Sequence, residues 1–444
     1  MENVILNTPC GQIKGTVSDG VRRFLGIKYA TAGRWEYPKE VTEWQGVYEA
    51  LQYGPAPIQA RTYAAMGKFE QHKFYYEEFW EGVKTSYSED CLNLNIWTPE
   101  NPENCPVLIT IYGGGLVAGQ ADELEFNGSE FAKRGIILVN FNYRVNIFGG
   151  FTSEELDKEA GKSGNYTLYD QRMACQWVKK NIGAFGGNAE QITLIGQSAG
   201  ASSVETQIKT SGNEGMFQGA IIQSSAGFTG LPSWIKPEKK DVQKKCSELF
   251  IASGCQSFEE FRNLPAEAIF DLWRAQNKGA AFSASTFSDD VFKAEDGGKP
   301  APVNVLCGIT SEDTAPAIFY WVTKRFAKKQ RGHHPVYAYY FNRQLPGDEF
   351  GAWHSSDLWY TYGTLAHSWR PFTDEDKALS EMMMDYFAAF IRTGNPNVPG
   401  RNEWLPLNAK QKRFMSFNIG DGEMRRFPLG KKIWTTLTYK GPRA

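Results

Sequence analysis

The sequence has no apolar run long enough to cross a bilayer. Stretches such as Ile136 to Phe141 fall far short of the roughly 20 residues that a spanning helix needs. Its seven cysteines are odd in number and scattered, with no CxxC pair and no metal-ligand spacing. A reduced, cytoplasmic setting is expected, with no metal and no cofactor. Charge of one sign is not in excess: 48 Lys and Arg stand against 50 Asp and Glu, a net charge of -2. No basic stripe could neutralise a phosphate backbone, which excludes nucleic acid as a partner. The opening residues Met1 to Leu6 lack the basic start, apolar stretch and small-residue cleavage site of a secretory signal. There is no internal repeat, low-complexity tract or Pro/Ser-rich linker. Ser283 to Pro302 is polar and Gly-rich but too short to divide the chain, so one domain over residues 1–444 is expected.

What the chain does have is a succession of apolar strands and amphipathic helices. Short strands open it, at Val4–Leu6, Gly11–Val17 and Val21–Ala30, followed by a loop-rich aromatic stretch from Tyr53 to Tyr87. Further strands are expected at Leu92–Trp97, Val107–Tyr112, Ile136–Phe141, Ile192–Ile195, Ala220–Gln223, Val303–Cys307, Val336–Phe341 and Arg413–Phe417. Helical patterns such as Asp170–Ile182 and Leu379–Arg392 lie between several of them. Continuous apolar strands separated by helices indicate an α/β fold with a mostly parallel sheet covered on both faces.

The strongest chemical signal is Ile192-Thr193-Leu194-Ile195-Gly196-Gln197-Ser198-Ala199-Gly200, an apolar strand running into Gly-x-Ser-x-Gly. By itself such a pattern is often just a flexible loop. Between a strand and a helix it becomes an elbow that lifts the serine hydroxyl above the sheet and aims a helix N-terminus at it. That marks Ser198 as a nucleophile. A second strand ends in Gly113-Gly114-Gly115, whose backbone N–H groups can converge on one developing negative charge. Gly113-x-Gly115-x-x-Ala118 also fits a dinucleotide fingerprint, which requires a carboxylate after the next strand. Asn142, Tyr143 and Arg144 follow that strand instead, and the dinucleotide reading fails.

Histidine is scarce, with five in the chain: His72, His333, His334, His354 and His367. With a serine on an elbow, the partners follow in the order serine, acid, histidine. His72 precedes the serine. His333 and His334 lead into a strand, at the wrong end of the sheet. His367 belongs to a following helix, on its surface or in the core. His354 lies in a loop after Val336–Phe341, where a base can reach the elbow. For the acid, Glu312 and Asp313 both follow the strand Val303–Cys307, and alternation alone does not choose between them.

Together these pieces resemble the type-B carboxylesterase family, the α/β-hydrolases that include the cholinesterases. The resemblance is carried by Ser88-Glu89-Asp90-Cys91-Leu92-Asn93-Leu94-Asn95-Ile96-Trp97, by Ile111-Tyr112-Gly113-Gly114-Gly115 and by Asn142-Tyr143-Arg144-Val145. It continues through Gly164-Asn165, Asp170-Gln171-Arg172, Phe185-Gly186-Gly187-Asn188 and Gly351-Ala352-Trp353-His354. The resemblance implies an α/β-hydrolase fold and a serine esterase acting on a small-molecule ester. It implies Ser198 as nucleophile, His354 as base, and oxyanion donors at Gly114, Gly115 and Ala199. Register with the family's Gly-x-x-x-x-Glu places the acid on Asp313, one methylene shorter than Glu. It further implies that Glu89 and Arg144 form a structural ion pair and that Asp170 is structural.

The departures from the family pattern also carry expectations. Pro57 replaces a loop-disulfide cysteine, leaving Cys91 without that partner. The cysteine expected near Arg262 is missing too, leaving Cys255 free, and both losses fit a reducing compartment. The short stretch from Asp313 to His354 implies a reduced cap, as in compact bacterial members. The triple-glycine loop implies room for bulky alcohols. Trp353, Trp359, Tyr360 and Tyr362 are candidates for an apolar pocket or for plain core. Trp80 stands in the region of the cholinesterase cation site, but its spacing differs. Two other readings remain: an adhesion-type member without catalysis, and a hydrolase of thioesters, amides or lipids. Survival of the serine, acid and histidine argues against the first.

Overall fold

The computed structural model describes residues 2–59, 73–225, 238–277, 286–292, 301–408 and 410–438. His72 lies outside them, as do most of Ser283–Pro302 and part of the Tyr53–Tyr87 stretch. The fold is that of an α/β-hydrolase, a mixed sheet whose central strands are parallel. Seven strands make the parallel core, in the spatial order Ile137–Phe141, Cys105–Ile111, Gly187–Gln197, Gly219–Gln223, Asn304–Thr310, Val336–Phe341 and Arg413–Asn418. Apart from the first five residues of Gly187–Gln197 and the two ends of Arg413–Asn418, nearly every residue of these strands is buried, because helices cover both faces. Antiparallel strands flank this core. Asn93–Pro99 joins it to Val21–Lys28, Gly11–Ser18 and Glu2–Thr8 on one side, and Asp421–Arg426 closes the other edge.

All eight strands expected from Leu92 onward are present. Their bounds move by one to five residues at a given end, and only Val336–Phe341 is unchanged. The largest shift is in Ile192–Ile195, which extends to Gly187–Gln197. Its first residues are polar, and the register breaks between Gly187 and Ile192, so no apolar signal marks them. The helix expected at Asp170–Ile182 runs from Tyr166 to Asn181. The helix expected from Leu379 begins at Asp374. Thr373 and Asp376 cap each other's backbone there, with Thr373 N–H donating to Asp376 Oδ2 at 3.0 Å. The aromatic stretch also contains a short helix, Lys73–Phe79.

A second apolar cluster gathers the helices Lys239–Ser253, Phe258–Arg262 and Ala266–Asn277 around Trp35 and Phe151. Trp35 stacks on Phe151 with ring centroids 4.0 Å apart. Between Asn304–Thr310 and Val336–Phe341 there is one helix, Pro316–Lys329. Among the described residues no helix is long and apolar enough to cross a membrane.

One expected pair is corrected. Arg144 does not bind Glu89; it binds Asp170 through both ends of its guanidinium, at 2.7 and 2.8 Å, with both side chains buried. Glu89 pairs instead with Arg34, at 2.5 and 2.8 Å, where both are partly exposed. Arg144 follows the buried strand Ile137–Phe141, and helix Tyr166–Asn181 presents Asp170 to it inside the core. A buried guanidinium needs a buried carboxylate, and Glu89 is not one.

Candidate active site

Strand Gly187–Gln197 lies inside the parallel core, between Cys105–Ile111 and Gly219–Gln223. It ends at Ser198, whose backbone sits at φ 57°, ψ −126°, and helix Ala199–Lys209 starts at the next residue. This left-handed conformation costs a non-glycine residue about 1–3 kcal/mol and survives only where the surroundings impose it. They do so here. The Ser198 N–H donates to the Gln223 carbonyl at 2.9 Å, and the Ser202 N–H closes on the Ser198 carbonyl at 3.1 Å. The flanking glycines are sterically required. A Cβ on Gly196 would lie 2.5 Å from the Gly200 backbone, and one on Gly200 would lie 2.0 Å from the Ile111 carbonyl oxygen.

The glycine loop lies against this elbow. A Cβ at Gly113 would come within 3.1 Å of Ser198 Cβ. Gly114 and Gly115 take φ values of 98° and 66°. Tyr112 and Tyr143 fix the loop's start by stacking at 4.2 Å while each hydroxyl donates to the other's carbonyl, at 2.7 and 3.1 Å. Gln59 holds its far end through both atoms of its amide on Gly119, at 2.7 and 2.9 Å. The N–H groups of Gly114, Gly115 and Ala199 take no acceptor among the described residues.

Asp313 and His354 meet at the same edge of the sheet. Asp313 Oδ1 is 2.7 Å from His354 Nδ1. Thr310 Oγ1 donates to Asp313 Oδ2 at 2.7 Å, and the Thr314 N–H donates to Oδ1 at 2.7 Å. Glu312 turns away, to Lys432 on the C-terminal helix Leu429–Leu437 at 2.6 Å. Its backbone N–H pins the histidine loop by donating to the Ala352 carbonyl at 2.8 Å. The Tyr75 hydroxyl donates to the His354 carbonyl at 3.2 Å, fixing the loop from the other side. The second ring nitrogen, Nε2, faces the Gln197 side-chain nitrogen at 3.1 Å, one residue from Ser198. With Nδ1–H donating to Asp313, Nε2 carries the lone pair and accepts from Gln197.

Burial alone would lower the proton affinity of His354, but the Asp313 carboxylate overrides it and the pKa sits above the ordinary 6.5. Burial would likewise raise Asp313, and the charge and hydrogen bond of His354 bring it below the usual carboxylate range.

Among the described residues, the other histidines lie elsewhere. His334 bonds Asn304 Oδ1 at 3.1 Å, at the start of its strand, and His367 lies in the 3-10 turn Leu365–His367. Trp353, Trp359, Tyr360 and Tyr362 are buried among core aromatics and polar anchors, and Trp80 is buried as well. All seven cysteines are unpaired, Cys91 in the core and Cys255 partly exposed. Sequence reasoning missed Gln197 and Tyr75. Only Gln197, the variable residue of Gly-x-Ser, carried a positional signal.

A serine raised on a strand–helix elbow, beside a glycine loop and a histidine–carboxylate pair at the carboxyl edge of a parallel sheet, defines a serine hydrolase of the α/β class. The chain belongs to the carboxylesterase family, whose model matches residues 2–331 and 317–433, and it is a carboxylic ester hydrolase. It is 27% identical to para-nitrobenzyl esterase of Bacillus subtilis (strain 168), with 90% of this chain and 92% of that protein covered. It is also 27% identical to acetylcholinesterase of Bungarus fasciatus, over 93% of this chain and 82% of that one. Among solved structures, a PNB esterase superposes with a TM-score of 0.81 at 23% identity, covering 97% of this chain and 99% of the other.

Proposed function

We propose that this esterase works through an acyl-enzyme on Ser198, with His354 as general base and acid, Asp313 as its orienting carboxylate, and Gly114, Gly115 and Ala199 as oxyanion donors. The observation that carries this reading is the 2.7 Å contact between His354 Nδ1 and Asp313 Oδ1, beside a serine held on a strained elbow. The contact leaves Nε2 as the proton acceptor, the state a general base requires.

Ser198 Oγ attacks the ester carbonyl while its proton passes to His354 Nε2. The carbonyl oxygen becomes an oxyanion facing the three amides, and helix Ala199–Lys209 turns its positive end toward it. The tetrahedral intermediate collapses as the C–O bond to the alcohol breaks, and His354 returns the proton to the leaving oxygen. Water then attacks the acyl carbon while giving a proton to His354, the bond from the acyl carbon to Ser198 Oγ breaks, and His354 returns the proton to Oγ, releasing the acid and restoring the serine hydroxyl. Asp313 stays ionised throughout and stabilises the transient imidazolium.

Ser198→Ala lowers turnover of p-nitrophenyl butyrate by about 10³–10⁶-fold. Near-normal turnover by a folded Ser198→Ala protein would overturn the assignment. The seven unpaired thiols support a reducing, cytoplasmic setting. Thiol titration of the natural protein after denaturation then gives seven reactive groups, and a lower count that reductant restores would contradict that setting.

A further inference from the structure

Helix Pro316–Lys329 buries Ala317, Phe319, Phe326 and Ala327 on its inner side, as a surface helix should. Its outer positions break the pattern. Ile318, Trp321, Arg325 and Lys328 recur every three or four residues on one exposed stripe, and the first two are large and apolar. The C-terminal helix Leu429–Leu437 repeats the anomaly with Ile433, Trp434 and Leu437. Trp321 is 59% exposed, Trp434 69% and Leu437 75%, so these side chains stand in water rather than at the rim of a core. Of the three tryptophans exposed among the described residues, two are on these helices.

The two helices lie side by side. The Ala317 N–H donates to Thr436 Oγ1 at 3.3 Å, and Tyr320 stacks on Phe427, just ahead of the second helix, with ring centroids 4.6 Å apart. Ile318 and Leu437 each follow one of the residues in that hydrogen bond, which joins the two stripes into one outward face. Single exposed apolar side chains are ordinary, but five gathered on one face mark a surface that something covers.

Charge decides what covers it. The two helices carry Lys324, Arg325, Lys328, Lys329, Lys431 and Lys432 and no Asp or Glu, in a chain of net charge -2. Lys432 turns inward to Glu312, whereas Arg325, Lys328 and Lys431 are exposed. A second copy of the chain is a poor occupant. A twofold contact of this face with itself would set those cations against their own copies, with no carboxylate on either helix to pair them. A nucleic-acid backbone offers charge but no place for Ile318, Ile433 and Leu437. An anionic bilayer offers both: acyl chains for the aliphatic side chains, the headgroup layer for the indoles, and phosphates for the cations.

We propose that the outer face of helices Pro316–Lys329 and Leu429–Leu437 is a docking surface for anionic phospholipid membranes. Trp321, Trp434 and Leu437 are its apolar anchors, and Arg325, Lys328 and Lys431 its headgroup contacts. The face backs onto the histidine–carboxylate pair: Phe319, on the inner side, lies 6.5 Å ring to ring from His354, and Lys432 holds Glu312 next to Asp313. A docked molecule therefore keeps that pair about one helix diameter, roughly 10 Å, from the bilayer surface. The cytoplasmic leaflet of cell membranes is the anionic one, which agrees with a reducing, cytoplasmic setting.

The test is flotation of the full-length protein with vesicles of equal parts phosphatidylcholine and phosphatidylglycerol, against vesicles of phosphatidylcholine alone. The protein floats with the anionic vesicles and not with the neutral ones, and added salt releases it. Trp321→Gln with Trp434→Gln lowers the bound-to-free ratio about tenfold or more, and so does the triple change Arg325→Gln, Lys328→Gln and Lys431→Gln. Ile251→Ser, at an equally exposed apolar residue on helix Lys239–Ser253, leaves the ratio unchanged. Turnover of p-nitrophenyl butyrate in free solution stays within about twofold in every variant, which shows that each is folded. Wild-type protein that does not float with anionic vesicles overturns the proposal, as does equal binding to neutral vesicles or binding that survives both sets of substitutions. A dimer in sedimentation that Trp434→Gln splits, with no flotation, gives the face to a second copy and overturns it as well.

Discussion

At the scale of single residues, the account turns on which of two adjacent carboxylates faces the histidine. Asp313 is fully buried and accepts from His354, Thr310 and the Thr314 backbone, whereas Glu312 is partly exposed and bound to Lys432. Asp313→Asn would present an amide where the imidazole N–H needs an acceptor, and kcat falls by about 10³–10⁴-fold. Glu312→Gln removes one half-exposed ion pair and leaves kcat within about threefold of wild type. Steady-state kinetics of the two variants check this, and comparable losses would contradict the assignment. The proposed role of His354 as general base sets the pH dependence. A protonated imidazole cannot accept the serine proton, so kcat/KM is low in acid and rises as His354 loses its proton. Because the pKa of His354 is raised, the half-point of that rise lies above 6.5. An inflection below 6.5 would mean that another group limits the rate.

At the scale of elements, the elbow and the buried ion pair govern stability. Gly200→Ala drives a methyl group into the Ile111 carbonyl at 2.0 Å, so strand Cys105–Ile111 and helix Ala199–Lys209 cannot keep their approach. Thermal denaturation of that variant shows a loss of about 3 kcal/mol or more, with activity lost in parallel. Arg144→Leu strands the buried Asp170 carboxylate and costs about 3–5 kcal/mol. Glu89→Gln, at the partly exposed pair with Arg34, costs about 1 kcal/mol or less. Urea unfolding of both variants measures the contrast, and equal costs would contradict the pairing of Arg144 with Asp170. The pattern of legibility has the same physical origin. Parallel strands buried on both faces are continuous apolar runs, and Val336–Phe341 could be read to the residue. The edge strand Asp421–Arg426 was not legible, because its sequence, Asp421-Gly422-Glu423-Met424-Arg425-Arg426, carries charges where a buried strand would alternate. The start of helix Asp374–Thr393 is marked by its Thr373/Asp376 capping pair, ahead of the apolar stripe that begins at Leu379. Which carboxylate binds Arg144 depends on how one helix meets one strand, and local sequence does not encode that.

At the scale of the whole molecule, the site exists because of topology. Ser198, Asp313 and His354 follow three different parallel strands, and parallel strands deliver their carboxyl ends to one edge. The histidine loop is then braced from two sides, by Glu312 just past the end of strand Asn304–Thr310 and by Tyr75 on helix Lys73–Phe79. A further buried ion pair steadies that helix: Glu78 accepts from Arg370 at 2.8 Å and from the Trp359 indole at 2.7 Å. Residues more than 270 positions apart thus set the place of one imidazole. The most direct test of this convergence is covalent labelling of the native enzyme with a fluorophosphonate, followed by peptide mass spectrometry of the adduct. One phosphonyl group on Ser198, formed at a rate that collapses in His354→Gln, is the expected result. A stable adduct on another residue, or labelling of Ser198 at an undiminished rate without His354, would contradict it.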